Sequence, residues 1–174
     1  RRQLHTVEPN AAHLALKRLE TSFHCDIITQ NIDDLHERAQ SNSIVHLHGE
    51  LLKARSTGRP ELIYDWPGDI KIGDTCDEGY QLRPHIVWFG EDVPEISRAA
   101  ALVAQADTVI IIGTSMQVYP AAGLVAYAPD HASIYYIDPR PTISHELMLR
   151  KQLYVLDSTA TSGVPKLVND LLGV

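Results

Sequence analysis

A chain of 174 residues, 44% of them apolar, is long enough to bury a sizeable core and too short for a second full domain. Its net charge of −7 disfavours nonspecific binding to nucleic acid or to an anionic membrane, and is compatible with a cationic, lysine-bearing protein segment as partner. Cys25 and Cys76 alone give neither a disulfide framework nor an all-cysteine metal site, and no apolar run approaches the ~20 residues that span a bilayer, so a soluble, cytoplasmic chain is expected.

Asn10 is placed to cap a helix running to about Glu20, because Ala12, Leu16, Leu19 and Phe23 recur on one face at helical spacing. A short buried strand over Cys25 to Thr29 then runs into Gln30, Asn31 and Asp33, compact polar groups suited to bonding sugar hydroxyls and a carboxamide. Asp33 is equally suited to capping a helix that begins near Asp34. A second strand, Ile44 to Leu47, sets His46 and His48 on one side, since side chains alternate, and ends in a turn at Gly49. His48 offers an imidazole as general base near neutral pH; the alternative is a histidine satisfied within the turn. The His-x-His pair lacks companion ligands at zinc spacing, and His46 is read as structural.

Residues 53–84 differ in character, being punctuated by Gly58, Pro60, Pro67, Gly68, Gly73, Gly79 and Pro84, with a weak strand at Leu62 to Tyr64. They read as a small excursion inserted between 1–52 and 85–174. Its Asp69, Asp74, Asp77 and Glu78 have no cation-loop spacing and read as solvated surface. The regular pattern resumes with a strand at Ile86 to Phe89 and a helix from about Glu95 to Gln105. Val109 to Ile112 is a β-branched run of the kind covered on both faces in a parallel sheet. Gly113-Thr114-Ser115 follows directly, a glycine for close backbone approach and hydroxyls and amides for an anion. A helix around Ala121 to Tyr127, a strand at Ile134 to Ile137 and a helix over Pro165 to Leu172 complete an alternation that argues for a doubly wound α/β sheet.

Thr29-Gln30-Asn31-Ile32-Asp33, Leu47-His48-Gly49-Glu50, Val87-Trp88-Phe89-Gly90-Glu91 and Gly113-Thr114-Ser115 stand in the order and approximate spacing of the sirtuins, the NAD-dependent protein deacylases of the Sir2 family, which this chain resembles over nearly its whole length. The resemblance implies a Rossmann-like doubly wound parallel sheet, incomplete at the N-terminus, with NAD as cofactor and an acyl-lysine protein or peptide as substrate. In such proteins the histidine matching His48 takes a proton from the ribose hydroxyl system, and the products are free lysine, nicotinamide and O-acyl-ADP-ribose. The residues matching Asn31 and Asp33 line the nicotinamide pocket, and that matching Gln30 lies near the ribose. Gly113, Thr114 and Ser115 would form the adenosine and diphosphate edge, with Asp138 near the adenine in place of the asparagine often found there. Val87, Trp88, Phe89 and Gly90 would receive the peptide by strand addition, Val87 and Phe89 lining the acyl-lysine tunnel.

The sequence departs from the family in the excursion, where sirtuins carry two Cys-x-x-Cys-like pairs and this chain has Cys76 alone. No zinc is expected, and Leu62, Ile63, Tyr64, Trp66, Ile70 and Ile72 should hold the segment against the sheet instead. The family's Gly-Ala-Gly-x-Ser phosphate loop and Tyr-x-x-Arg acyl-recognition motif also precede Arg1, so these residues alone are expected to bind NAD poorly. Two other readings remain: mono-ADP-ribosyl transfer, and a noncatalytic nucleotide-binding or interaction module. Gln30, Asn31, Asp33 and His48 together weigh against the module, since a pure binding surface needs no base beside a ribose site.

Overall fold

The computed structural model describes residues 1–174, and no helix in it is long and apolar enough to cross a membrane. Helix α1 (Ala11–Leu19) begins where the Asn10 side chain accepts from the Ala12 and His13 N–H groups at 2.9 and 3.4 Å, while His13 Nδ1 accepts from the Asn10 N–H at 3.2 Å. Three otherwise orphaned donors are satisfied by this reciprocal pair of side chains, so the start of the helix is fixed locally. Its Ala12, Ala15 and Leu19 pack on Val164, Leu167 and Val168 of the last helix. Phe23, expected on the same face, lies beyond the helix end and is exposed. The last helix, α5, spans Ala160–Leu172, so Pro165 sits inside it rather than at its start.

The parallel strands form two blocks. β1 (Ile27–Thr29) pairs with β2 (Ile44–His46) after the short helix α2 (Leu35–Arg38), in the register Thr29 opposite His46. Helix α3 (Ile96–Val103) leads to β6 (Thr108–Ile112), a 3-10 helix at Ala121–Tyr127 to β7 (Ser133–Asp138), and helix α4 (His145–Met148) to β8 (Leu153–Asp157). Strand order is β6-β7-β8, all parallel. The α/β class and the parallel pairing are those expected. No ladder joins the blocks, however, and β1 and β6 each keep one unpaired edge. That edge explains why β6 is half-buried, although its apolar run reads as a strand covered on both faces.

One buried cluster nevertheless spans both blocks, containing Val45, Leu47, Ala99, Met116, Ile134 and Tyr136, with Ile28 and Ile111 packed against it. Between β2 and α3 the chain makes an antiparallel sheet from β3 (Gly49–Ser56), β4 (Ile63–Asp65) and β5 (Leu82–Ile86), in the order β4-β3-β5. Its small core is Ala54, Cys76 and Leu82, flanked by Leu62, Tyr64, Trp66 and Ile70. Ile63 and Ile72 contribute nothing to it, being 46% and 102% exposed, against expectation. Buried Ser56 ties the turn, its hydroxyl accepting from the Gly58 and Arg59 N–H groups at 3.3 and 3.1 Å.

Candidate functional site

The loop after β1 and the turn after β2 lie side by side because the strands are parallel, and each carries polar side chains at its carboxyl end. Backbone bonds fasten them together: the Leu47 N–H donates to the Thr29 carbonyl at 2.9 Å and the Leu51 N–H to the Ile32 carbonyl at 2.6 Å. Within the first loop the Asn31 N–H donates to the Thr29 hydroxyl at 3.0 Å. His48 Nδ1 lies 3.1 Å from the Gln30 carbonyl oxygen. A carbonyl accepts and never donates, so Nδ1 carries the hydrogen and the neutral ring keeps Nε2 as its free acceptor. Gly49 follows with φ +77°, where a Cβ would sit 2.1 Å from the His85 carbonyl oxygen. No side chain fits between the His48 turn and β5, so glycine is required on both counts.

Val87, Trp88, Phe89 and Gly90 adjoin this pair of loops, but not as the strand expected at Ile86 to Phe89. β5 ends at Ile86; the Val87 N–H donates to the His48 carbonyl at 2.9 Å, and Trp88 to Glu91 closes a turn by a 3.0 Å bond from the Glu91 N–H to the Trp88 carbonyl. The turn is held from below by charge. The Glu91 carboxylate accepts from Arg83 at 2.6 and 3.1 Å, from Arg55 at 3.1 Å and from the Trp88 N–H at 3.0 Å. The Arg83 hydrogen bond above all, then that of Trp88, draws its pKa down to about 2. Both backbone groups of Trp88 are thus engaged within the turn, and Phe89 is 99% exposed. Val87 is half-buried.

Gly113, Thr114 and Ser115 form the loop at the carboxyl end of β6, beside Asp138 at the end of β7. Gly113 has φ +58° and open space where a Cβ would be. The Met116 N–H donates to the Thr114 hydroxyl at 3.3 Å. The fully buried Tyr136 hydroxyl donates to the Thr114 carbonyl at 2.7 Å and accepts from the Thr142 N–H at 3.2 Å. Asp138 Oδ1 accepts from the Arg140 N–H at 2.7 Å. No hydrogen bond links this loop to the Gln30–His48 pair. What unites them is packing, since Leu47, just before His48, and Met116, just after Ser115, are buried in one cluster.

Asp33 also has a local duty: its Oδ1 accepts from the Leu35 N–H at 3.1 Å, the capping alternative open in the sequence. The sequence gives no warning of His46, read as structural, which reaches Asn31 and Glu37, nor of the Arg55 and Arg83 partners of Glu91. The one available signal for His46 was its two-residue spacing from His48, and both rings reach carbonyls of the neighbouring loop.

The Sir2 family model matches residues 1–120. An NAD-dependent protein deacylase of Helicobacter pylori is 50% identical over 172 residues, covering 99% of this chain and 74% of that protein. Among solved structures, a Sir2 homologue in complex with NAD superposes with a TM-score of 0.85 at 34% identity, over 98% of this chain and 67% of that one. A Sir2 complex with a p53 peptide and NAD superposes at 0.80 and 28% identity, over 98% and 73%. Motif order, parallel strand ends and these likenesses agree, and the chain belongs to the Sir2 family.

Proposed function

We propose that the chain is the catalytic part of an NAD-dependent protein-lysine deacylase, transferring an acyl group from lysine to ADP-ribose with release of nicotinamide. The observation that carries this reading is the 3.1 Å contact of His48 Nδ1 with the Gln30 carbonyl, which leaves Nε2 as a proton acceptor beside the loop of Gln30, Asn31 and Asp33. NAD, when bound, supplies the ribose carbon that loses nicotinamide and the ADP-ribose that takes the acyl group.

The residues present suit that group. The Gln30 and Asn31 carboxamides make no hydrogen bond within the chain, so both are free to orient a ribose and a carboxamide. Asp33 keeps one carboxylate oxygen beyond its helix cap for the same pocket. At the other strand ends Gly113 offers an uncovered backbone, and the Ser115 hydroxyl and the Thr114 and Ser115 N–H groups are unpaired donors for a phosphate or ribose. Asp138 adjoins them on the adenine side. Val87, Trp88, Phe89 and Gly90 form the substrate edge. The backbone groups of Phe89 and Gly90, unpaired in the turn, are suited to an acyl-lysine peptide, with the Trp88 and Phe89 rings as apolar surface. Unpaired Cys25 and Cys76 suit a reducing, cytoplasmic setting.

Nicotinamide release from acetyl- and succinyl-lysine peptides by the full-length protein tests the reading. His48→Ala should lower turnover by about 100-fold or more, the usual worth of a positioned base, with NAD binding kept. Unchanged turnover would remove His48 from the chemistry. Mass spectrometry of the products separates the alternatives: acylated ADP-ribose for deacylation, an ADP-ribosylated acceptor for transferase activity, and neither for a binding module.

A further inference from the structure

His46 is used by none of the steps above, yet its side chain is only 9% exposed and wedged between two elements. Its Nδ1 lies 3.2 Å from the Asn31 carbonyl oxygen and its Nε2 lies 2.7 Å from Glu37 Oε1 on α2. Both partners accept, so both contacts are bonds only when both ring nitrogens carry hydrogen, that is, in the imidazolium. We propose that His46, as a cation bridging Glu37 to the Asn31 carbonyl, is a positioning residue that fixes the Asn31 loop for NAD. The proposal rests on the deacylase reading for its consequence, though not for its geometry.

His46 and His48 are alternate residues leaving β2 on one side, and they seize successive carbonyls of the facing loop, Asn31 and Gln30. The peptide planes flanking Asn31 are thereby pinned at both ends, and the Asn31 carboxamide projects from a fixed backbone. The charges around the ring favour the cation. Burial disfavours it, but the Glu37 hydrogen bond and charge, the Asn31 carbonyl and the Glu50 carboxylate on β3 outweigh burial and raise the His46 pKa above 6.5. Glu37 moves the opposite way: burial raises its pKa, and the His46 bond and charge pull it to a net value below 4.5. His36 on α2 is the one opposing group, and burial, with His13 of α1 packed 4.7 Å from it, keeps it neutral to lower pH. Glu50 is itself paired with Lys53 at 2.9 Å.

The signs set a window. The raised His46 contributes fully below pH 6.5 and loses its contribution as pH climbs through its folded value; the depressed Glu37 contributes above pH 4.5 and loses it as pH falls through its own. The bridge is thus complete between those limits. The ligand atoms of Glu37, His46 and Glu50 lie within 4.8 Å of one another, but a divalent ion would have to expel the Nε2 hydrogen that Glu37 holds.

Ring-nitrogen NMR of the full-length protein tests the bridge without reference to activity. The His46 ring should remain doubly protonated at pH 6.5, and the Asn31 and Ile32 amide signals should move with its midpoint; Glu37→Gln should lower that midpoint. A ring already neutral at pH 6.5, or amides indifferent to it, overturns the proposal. Kinetics test the consequence. His46→Asn keeps a donor where Nδ1 stood but loses the Glu37 half of the bridge and should raise the KM for NAD about threefold, whereas His46→Gln keeps only the donor toward Glu37, loses the Asn31 bond itself and should raise it about tenfold, with little change in the KM for peptide. Equal effects of the two variants overturn a positioning role. Absence of turnover in the unsubstituted protein would retire the deacylase reading, and NAD affinity of the same two variants would then decide in place of KM.

Discussion

Glu91 shows how a residue outside the reacting groups can shape the proposed substrate edge. Its carboxylate gathers two arginines from different strands and the Trp88 amide, so the turn that presents Trp88 and Phe89 is set by one side chain. Glu91→Gln should therefore raise the KM for acyl-lysine peptide about three- to tenfold while leaving that for NAD unchanged, as measured by steady-state turnover. With a third of the side chain open to solvent, the loss of stability should be modest, about 1 kcal/mol by urea unfolding. The sign with pH follows from the depressed pKa. The contribution is present above 4.5 and disappears as pH falls toward about 2, so acid unfolding of the variant should begin from a lower plateau and lack this component. An equal rise in both KM values would mean that the turn supports the whole site.

At the scale of elements, what was legible depended on whether the cause lay nearby in the chain. The α1 start was legible because Asn10 caps a helix only a few residues away. Asn10→Ala should cost about 1 kcal/mol in urea unfolding, and a loss near zero would show that α1 is held by α5 alone. β3 escaped notice for the opposite reason. Its inward residues include Ala54 and Ser56, almost fully buried and barely apolar, so the alternation with Lys53 and Arg55 leaves no hydrophobic trace. The start of α5 was hidden behind Thr159, Thr161 and Ser162, whose hydroxyls bond one another and read as a loop. β8 carries Tyr154 stacked on Tyr135 at 4.9 Å, a pairing that exists only once β7 is beside it. For the site the division is the same. Gln30, Asn31, His48 and Gly113 stand in short motifs, whereas the partners of His46 and Glu91 are set by strand register, which no local pattern encodes.

For the whole molecule, the parallel strands in two blocks predict an uneven distribution of stability. β7 is paired on both sides, and four of its residues or their neighbours, Ala132, Ile134, Tyr136 and Ile137, are almost completely buried. β1 and β6 each leave half of their ladder groups without a strand partner. Hydrogen exchange of this chain should therefore find β7 amides slowest, and those of β1 and β6 faster by at least about tenfold. Equal protection of β6 and β7 would show that something else covers the β6 edge. The packing shared by Leu47 and Met116 nevertheless makes the two strand-end clusters parts of one body.

The Tyr136 hydroxyl has an effect out of proportion to its size. Buried at the centre of the molecule, it spends its hydrogen on the carbonyl of residue 114 and its lone pair on the amide of residue 142. One oxygen thus fastens two surface segments to a buried strand paired on both sides. Whatever ligand settles against Thr114 meets a wall braced from behind, and the stretch around Thr142 has to swing with it or stay still.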